Sequence, residues 1–200
     1  MCIRDRSNVL ELIKHEIDIQ NQSGNGFILI KVNSMNDMDI MNALIKASQS
    51  GVKIRLIIRG ICCLRPGIKG FTDNITVKSI IGRYLEHSRI FVFGSGERAR
   101  MFIGSGDLLA RNTTRRIEVF TEVKTYNVRK QLNIILKEIE NDNVNGWYMR
   151  PDGDYERCSS DGSLTDSHST LYKKLMPVKS EITEKRRLSR IMNIFTKNQK

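Results

Sequence analysis

Residues 27–59 read FILIKVNSMNDMDIMNALIKASQSGVKIRLIIR, and this stretch decides the fold. Its first six residues are a nearly continuous apolar run, the pattern of a strand covered on both faces. Asp37 then suits the N-cap of a helix whose Met38, Met41, Leu44, Ile45 and Ala47 face inward. Gly51 ends that helix, and residues 52–59 form a second buried strand. Strand, helix and strand at this spacing make a parallel pair with a right-handed crossover, so the domain is expected to be α/β.

Working outward, Ser7 suits an N-cap, and Val9, Leu10, Leu12, Ile13 and Ile17 form a helical stripe running to about Gln20. Gly24 and Gly26 break it. Further strands are expected at 75–80, 89–93, 100–104 and 117–123, with a closing helix over 127–140. Trp147 and Tyr148 are expected to pack the end of the domain. Apolar periodicity stops near Arg150, so the domain is read as 7–157 and residues 158–200 as a basic, poorly ordered tail with one weak amphipathic run at 188–195. The opening MCIRDR, residues 1–6, fits no cap, helix or strand pattern and reads as a non-native leader joined to a piece of something longer.

The net charge of +11 invites a nucleic-acid reading, but its distribution argues against a specific reader. Residues 173–200 hold nine Lys or Arg against two Glu, a net +7, which leaves +4 for the first 172 residues. A nucleic-acid-binding module would therefore rest on the tail. Cys2, Cys62, Cys63 and Cys158 form no C-x-x-C pair and no metal-ligand spacing, as expected for reduced thiols in a cytoplasmic protein. There is no apolar run of about 18 residues, so no membrane span is expected, while the 188–195 run leaves a peripheral membrane contact open.

The chemistry is carried by IRGICCLRPG at 58–67 and GRYLEHSRI at 82–90. Arg59 ends the second strand, where ligands collect in open α/β sheets, and its planar fork suits phosphate oxygens. Taken alone, it reads first as the partner of a carboxylate at the sheet rim. His87 and Arg89 share a face if the stretch is extended, so both could address one ligand, or His87 is a satisfied histidine. They sit at the start of a strand, so their meeting with Arg59 requires a strand order that one sequence does not specify. Gly104-Ser105-Gly106-Asp107 reads either as an anion-cradling turn, with Arg111, Arg115 and Arg116 supplying charge, or as a tight turn with a basic edge. Pro66 and Gly67 stiffen the loop 62–70, which is expected to wall Arg59. No base stands at a recognisable distance to activate Cys62 or Cys63.

IRGICCLRPG, GRYLEHSRI and IGSGD-x-x-x-RN, in that order, closely resemble the C-terminal catalytic region of long-chain polyphosphate kinases, a branch of the phospholipase D superfamily; the likeness runs from about Leu10 to Arg150. It implies a phospholipase D-like mixed sheet flanked by helices. It also implies an enzyme that reversibly transfers the terminal phosphate of ATP to a growing polyphosphate chain. ATP, ADP and polyphosphate would be its ligands, the whole protein a homo-oligomer, and Mg2+ its cofactor. The phosphorylated histidine of the family, the metal-holding arginines and a nucleotide-contacting tyrosine would lie upstream of Ser7, so this piece alone is expected to be inactive. By the same resemblance Arg59 and Arg116 would hold nucleotide or polyphosphate oxygens, and His87 would meet the transferring phosphate as proton donor or hydrogen-bond partner. The alternative is a phosphodiesterase or nuclease of the wider superfamily acting through His87. Its H-x-K and G-S-x-N signature is altered here to Arg89 and Asp107, and Leu108 stands where the kinases often carry an aromatic residue.

Overall fold

The two apolar runs pair in parallel as β1 (Phe27–Val32) and β2 (Lys53–Ile58), with Phe27 opposite Lys53 and Val32 opposite Ile58. The computed structural model describes residues 6–115, 117–159 and 162–175. Between the strands runs α2 (Met38–Gln49), capped by the Asp37 carboxylate, which accepts from the amides of Asp39 and Ile40. Its buried face is Ile40, Met41, Leu44, Ala47 and Ser48. Met38, expected to face inward, is 63% exposed at the first helical position, and Ile40 is buried instead. The preceding helix, α1 (Arg6–Ser23), starts one residue before the expected Ser7 cap and runs three past Gln20. It stops at Gly24, whose φ of 70° only glycine adopts without strain.

The remaining elements are β3 (Ile75–Ile80), β4 (Ile90–Phe93), β5 (Arg100–Gly104), α3 (Ala110–Arg115), β6 (Phe120–Glu122), α4 (Tyr126–Asn141), β7 (Gly146–Met149), β8 (Tyr155–Arg157) and α5 (Ser167–Leu175). The strands form one mixed sheet in the order β6-β5-β4-β1-β2-β3-β7-β8. Only β1, β2 and β3 run parallel. β4 is antiparallel to β1, β5 to β4, and β7 to β3.

Strand periodicity divides the core into two layers. Ile28, Ile30, Val32, Ile54, Leu56 and Ile58 pack with Ile13 of α1 and Leu44 of α2. On the other face Leu29, Ile57, Ile80, Ile90 and Val92 pack with Leu136 and Ile139 of α4. The same alternation puts the charged ends of Lys31, Arg59 and Lys78 on the α4 side. Lys78, 6% exposed, donates to the carbonyl of Glu140 in the last turn of α4 and lies 5.4 Å from the centre of the Tyr148 ring. Trp147 and Tyr148 thus belong to β7 rather than to a terminal plug.

The ordered fold continues past residue 157. Gly162 to Leu175, expected within the tail, are described, and α5 packs on α4 because Asp142 draws it in. That carboxylate is fully buried and accepts from the Ser167 amide at 2.8 Å and from the Ser167 hydroxyl. Arg6 of the expected leader opens α1 and pairs with Asp39 at 2.8 Å. The run at 188–195 lies outside the described residues. Among the described residues no helix is long and apolar enough to cross a membrane.

Candidate functional site

The strand order brings the separated motifs together. Because β4 runs antiparallel beside β1, its first residue, Ile90, pairs with Lys31 at the carboxyl end of β1. Ile90 also pairs with Ile103 near the end of β5. The carboxyl ends of β1, β2 and β5 therefore share one sheet edge with the start of β4. Arg59, Glu86 to Arg89 and Asp107 converge there.

Asn33 is the hub of the cluster. Its amide and its side-chain Nδ2 donate to Asp107 Oδ1 at 2.7 and 3.1 Å, and its Oδ1 accepts from Arg59 Nε at 2.9 Å. Arg59 Nε is shared with the carbonyl of Glu86 at 2.8 Å. Arg89 pairs with Asp107 at 3.2 Å and also donates to the carbonyl of His87 at 3.0 Å. Beneath them Lys31, 5% exposed, forms an ion pair with Glu86 and donates to the carbonyl of Ser88 at 2.9 Å. Gly60 permits the tight approach of β2 to this hub, since a Cβ there would fall 2.8 Å from the Asn33 carbonyl and 2.7 Å from Ser34 Oγ.

Burial pushes the Lys31 ammonium below its ordinary value, Glu86 opposes that, and the nearby Arg59 and Arg89 charges add to it. For Glu86, burial pulls the other way, but the Lys31 charge and hydrogen bonds from Lys31 and Ser88 leave its carboxyl below the ordinary 4.5. A carboxyl lowered on folding contributes stability above its unfolded value and loses it as pH falls through the folded value. Glu86→Gln is therefore expected to cost about 2 kcal/mol near neutrality, less than a fully buried pair because Glu86 is partly exposed. The gap between wild type and variant in urea midpoints should close as the pH is taken below 4.5.

Charges here are mostly spoken for. Lys31 is matched by Glu86 and Arg89 by Asp107, whereas among the described residues Arg59 forms no ion pair. His87 is exposed at the same edge, and its imidazole makes no hydrogen bond within the described residues. A small cavity of about 20 Å³ lies between Arg59, Lys31 and Glu86 on one side and Ile139, Ser167 and His168 on the other. Such a volume holds about one water. Among the described residues the edge thus carries one guanidinium that no carboxylate offsets and one exposed imidazole, groups suited to an anion with transferable protons or phosphoryl groups.

Three sequence expectations change. Gly104 to Asp107 is not an anion cradle, because the Ser105 hydroxyl donates to Glu118, the Ser105 amide to the Val119 carbonyl, and the Asp107 carboxylate faces Asn33 and Arg89. The loop 62–70 does not wall the cavity at Arg59; it is closed on itself by Thr72, whose hydroxyl donates to the Arg65 carbonyl. His87 and Arg89 do not act as a matched pair, since Arg89 is turned to Asp107. Arg116 lies outside the described residues. Leu108, in place of an aromatic residue, is buried, and its carbonyl accepts from the amides of Asn36 and Asp37. Sequence reasoning missed Asn33, Glu86, Ser167 and His168, and only Lys31, a charge inside an apolar strand, carried a signal of its own.

Mg2+ does not fit this edge. Its two carboxylates are paired to cations, and among the described residues no group of three or more His, Cys, Asp or Glu could hold a metal ion.

Residues 2–169 match the family described as polyphosphate kinase C-terminal domain 2. The chain is 45% identical to the polyphosphate kinase of Synechocystis over 150 residues, covering 75% of this chain and 21% of that protein. It is 41% identical to the polyphosphate kinase of Pseudomonas aeruginosa over 175 residues, covering 85% and 25%. The crystal structure of polyphosphate kinase from Porphyromonas gingivalis superposes with a TM-score of 0.80 at 32% identity, over 84% of this chain and 26% of that one. NUC, a phospholipase D family member from Salmonella typhimurium, shares the fold with a TM-score of 0.50 at 18% identity, over 72% and 90%. The chain spans about a quarter of the length of the curated relatives it matches. With its phospholipase D-like sheet and a match that runs through both the Arg59 and the His87 stretches, it belongs to the polyphosphate kinase C-terminal domain family.

Proposed function

We propose that this chain supplies the assisting half of a polyphosphate kinase centre, in which the terminal phosphate of ATP is reversibly transferred to a polyphosphate chain. The observation that carries the reading is Arg59, a guanidinium with no carboxylate partner among the described residues, held at the carboxyl edge of the sheet against Asn33 and the carbonyl of Glu86, the residue before His87. A loose phosphoryl-transfer transition state spreads charge over oxygens, and a preorganised arginine stabilises it without covalent chemistry. Arg59 holds phosphate oxygens with its terminal nitrogens while Nε stays engaged with Asn33 and Glu86. His87 donates a hydrogen bond or proton to a phosphate oxygen and is not itself the phosphorylated residue. Arg116 is a second oxygen-holding arginine on this reading. The covalent histidine and any Mg2+ ligands belong to parts of the relatives that this chain does not span. The ion pair between Arg89 and Asp107 speaks against a phosphodiesterase built on the Lys and Asn of the hydrolase signature.

The test is ATP-dependent polyphosphate synthesis by a form carrying the upstream region that the relatives possess. His87→Ala is expected to lower kcat at least about a hundredfold, the usual reach of general acid-base assistance, and the 200-residue chain alone is expected to make no polymer. A fully active His87→Ala enzyme would sink the role of His87. Cleavage of a phosphodiester without ATP, lost in His87→Ala, would replace the kinase reading with the hydrolase one.

A further inference from the structure

The loop 81–89 between β3 and β4 carries Glu86, His87 and Arg89 and has no regular structure of its own. Its second half is tied into the site by Glu86, the Ser88 carbonyl and Arg89. The first half exposes Ile81, Tyr84 and Leu85, none of residues 81–85 is buried, and the Tyr84 ring meets α5. Among the described residues its hydrogen bonds to the rest of the molecule are two: the Ile81 amide to the Asn145 carbonyl at 3.2 Å, and the Tyr84 amide to His168 Nδ1 at 3.1 Å.

His168 is 6% exposed in the first turn of α5. Since Nδ1 accepts the Tyr84 proton, the imidazole is held with that nitrogen unprotonated. The Tyr84 ring lies 5.8 Å from the His168 ring and is stacked on Tyr172 of the same helix at 6.3 Å. From the loop side Gly82 makes the approach possible: a Cβ there would fall 2.7 Å from His168 Nδ1 and 3.0 Å from Asn145 Cγ. Ser167, beside His168, is anchored to Asp142, and both residues line the cavity that Arg59 and Glu86 line from the opposite side.

We propose that α5 is part of the phosphate site and that His168 is a positioning residue, holding the 81–89 loop so that Glu86 and His87 stand beside Arg59. The role rests on the phosphate reading given above. His168 touches no substrate; it acts by fixing the backbone at Tyr84, three residues before His87. Loss of that contact frees the first half of the loop, and the bound geometry of His87 must then be selected from many.

Two readouts on the 200-residue chain test this: amide hydrogen exchange across 81–89, and calorimetric binding of inorganic tripolyphosphate. In His168→Ala, exchange at 81–89 is expected to rise about tenfold, the effect of losing one buried hydrogen bond, while exchange in β1 and β2 stays at wild-type rates. Tripolyphosphate affinity is expected to fall by a similar factor. His168→Asn, whose carbonyl can accept the Tyr84 proton, should restore both. Gly82→Ala, which disturbs the contact from the loop side and leaves α5 intact, should reproduce the His168→Ala result and guards against a helix that fails to fold. Unchanged loop exchange in both His168→Ala and Gly82→Ala overturns the positioning role, as does a loosened loop with wild-type affinity. A wild-type chain that binds no tripolyphosphate overturns the phosphate reading itself and the positioning role with it.

Discussion

Arg59→Ala is expected to weaken tripolyphosphate binding by the 200-residue chain at least about a hundredfold in calorimetric titration. The magnitude follows from two charge-assisted hydrogen bonds, each worth roughly 1.5–3 kcal/mol, at about 1.4 kcal/mol per tenfold. Arg59 is also the cation at this edge that no carboxylate offsets among the described residues, so the long-range attraction for an anion goes with it. Arg59→Lys should recover only part of the loss. An ammonium keeps the charge, but it cannot engage Asn33 Oδ1 and the Glu86 carbonyl while also presenting a planar pair of donors outward. Because Arg59 Nε also holds Asn33 Oδ1 and the Glu86 carbonyl, the urea midpoint should fall as well, by the loss of that half-buried contact. Wild-type affinity in Arg59→Ala, with the fold intact, would remove Arg59 from the site.

Asp142→Ala should produce the largest stability loss among single substitutions outside the apolar core, about 3–5 kcal/mol in urea unfolding. The carboxylate is fully buried and accepts from the amides of Val144, Asn145 and Ser167 at 3.1, 2.7 and 2.8 Å, and from the Ser167 hydroxyl. Alanine would strand these donors in the interior, next to the buried Lys78. The same change releases the start of α5, so cleavage by a protease within 162–175 should appear before global unfolding. A variant as stable as wild type, with 162–175 still protected, would show that α5 is held by its apolar contacts alone.

The frame of the fold was legible because buried strands and the α2 cap are written in short, local patterns. FILIKV, ITVKSI and the run to Gly104 became strands with the expected limits or within a residue of them, and Asp37 caps as its side chain and position predict. The order of those strands was not legible. Placing β4 antiparallel against β1 depends on side-chain packing across the whole sheet, and no spacing in the chain encodes it. That placement brings the stretch holding Glu86 and His87 to the end of β2, where Arg59 stands, which the motifs alone do not specify. Ser105 misled for a related reason. Its hydroxyl would suit an anion, but Glu118, thirteen residues away, claims it. His168 gave no signal because a polar, serine-rich stretch resembles a solvated tail, and the buried carboxylate that recruits it lies 26 residues upstream, just past the end of α4.

The contact between Arg89 and Asp107 has a consequence for how this site can change. These are the two positions at which the chain departs from the hydrolase signature, and they are bonded to each other, Asp107 also accepting from Asn33. Exchange of Arg89 alone for a neutral residue leaves a carboxylate without its cation, and exchange of Asp107 alone leaves a guanidinium without its anion. Each single step passes through a poorer intermediate, and only the double exchange returns to a balanced site. Positions 89 and 107 are therefore energetically coupled, and a change at either is felt at the other.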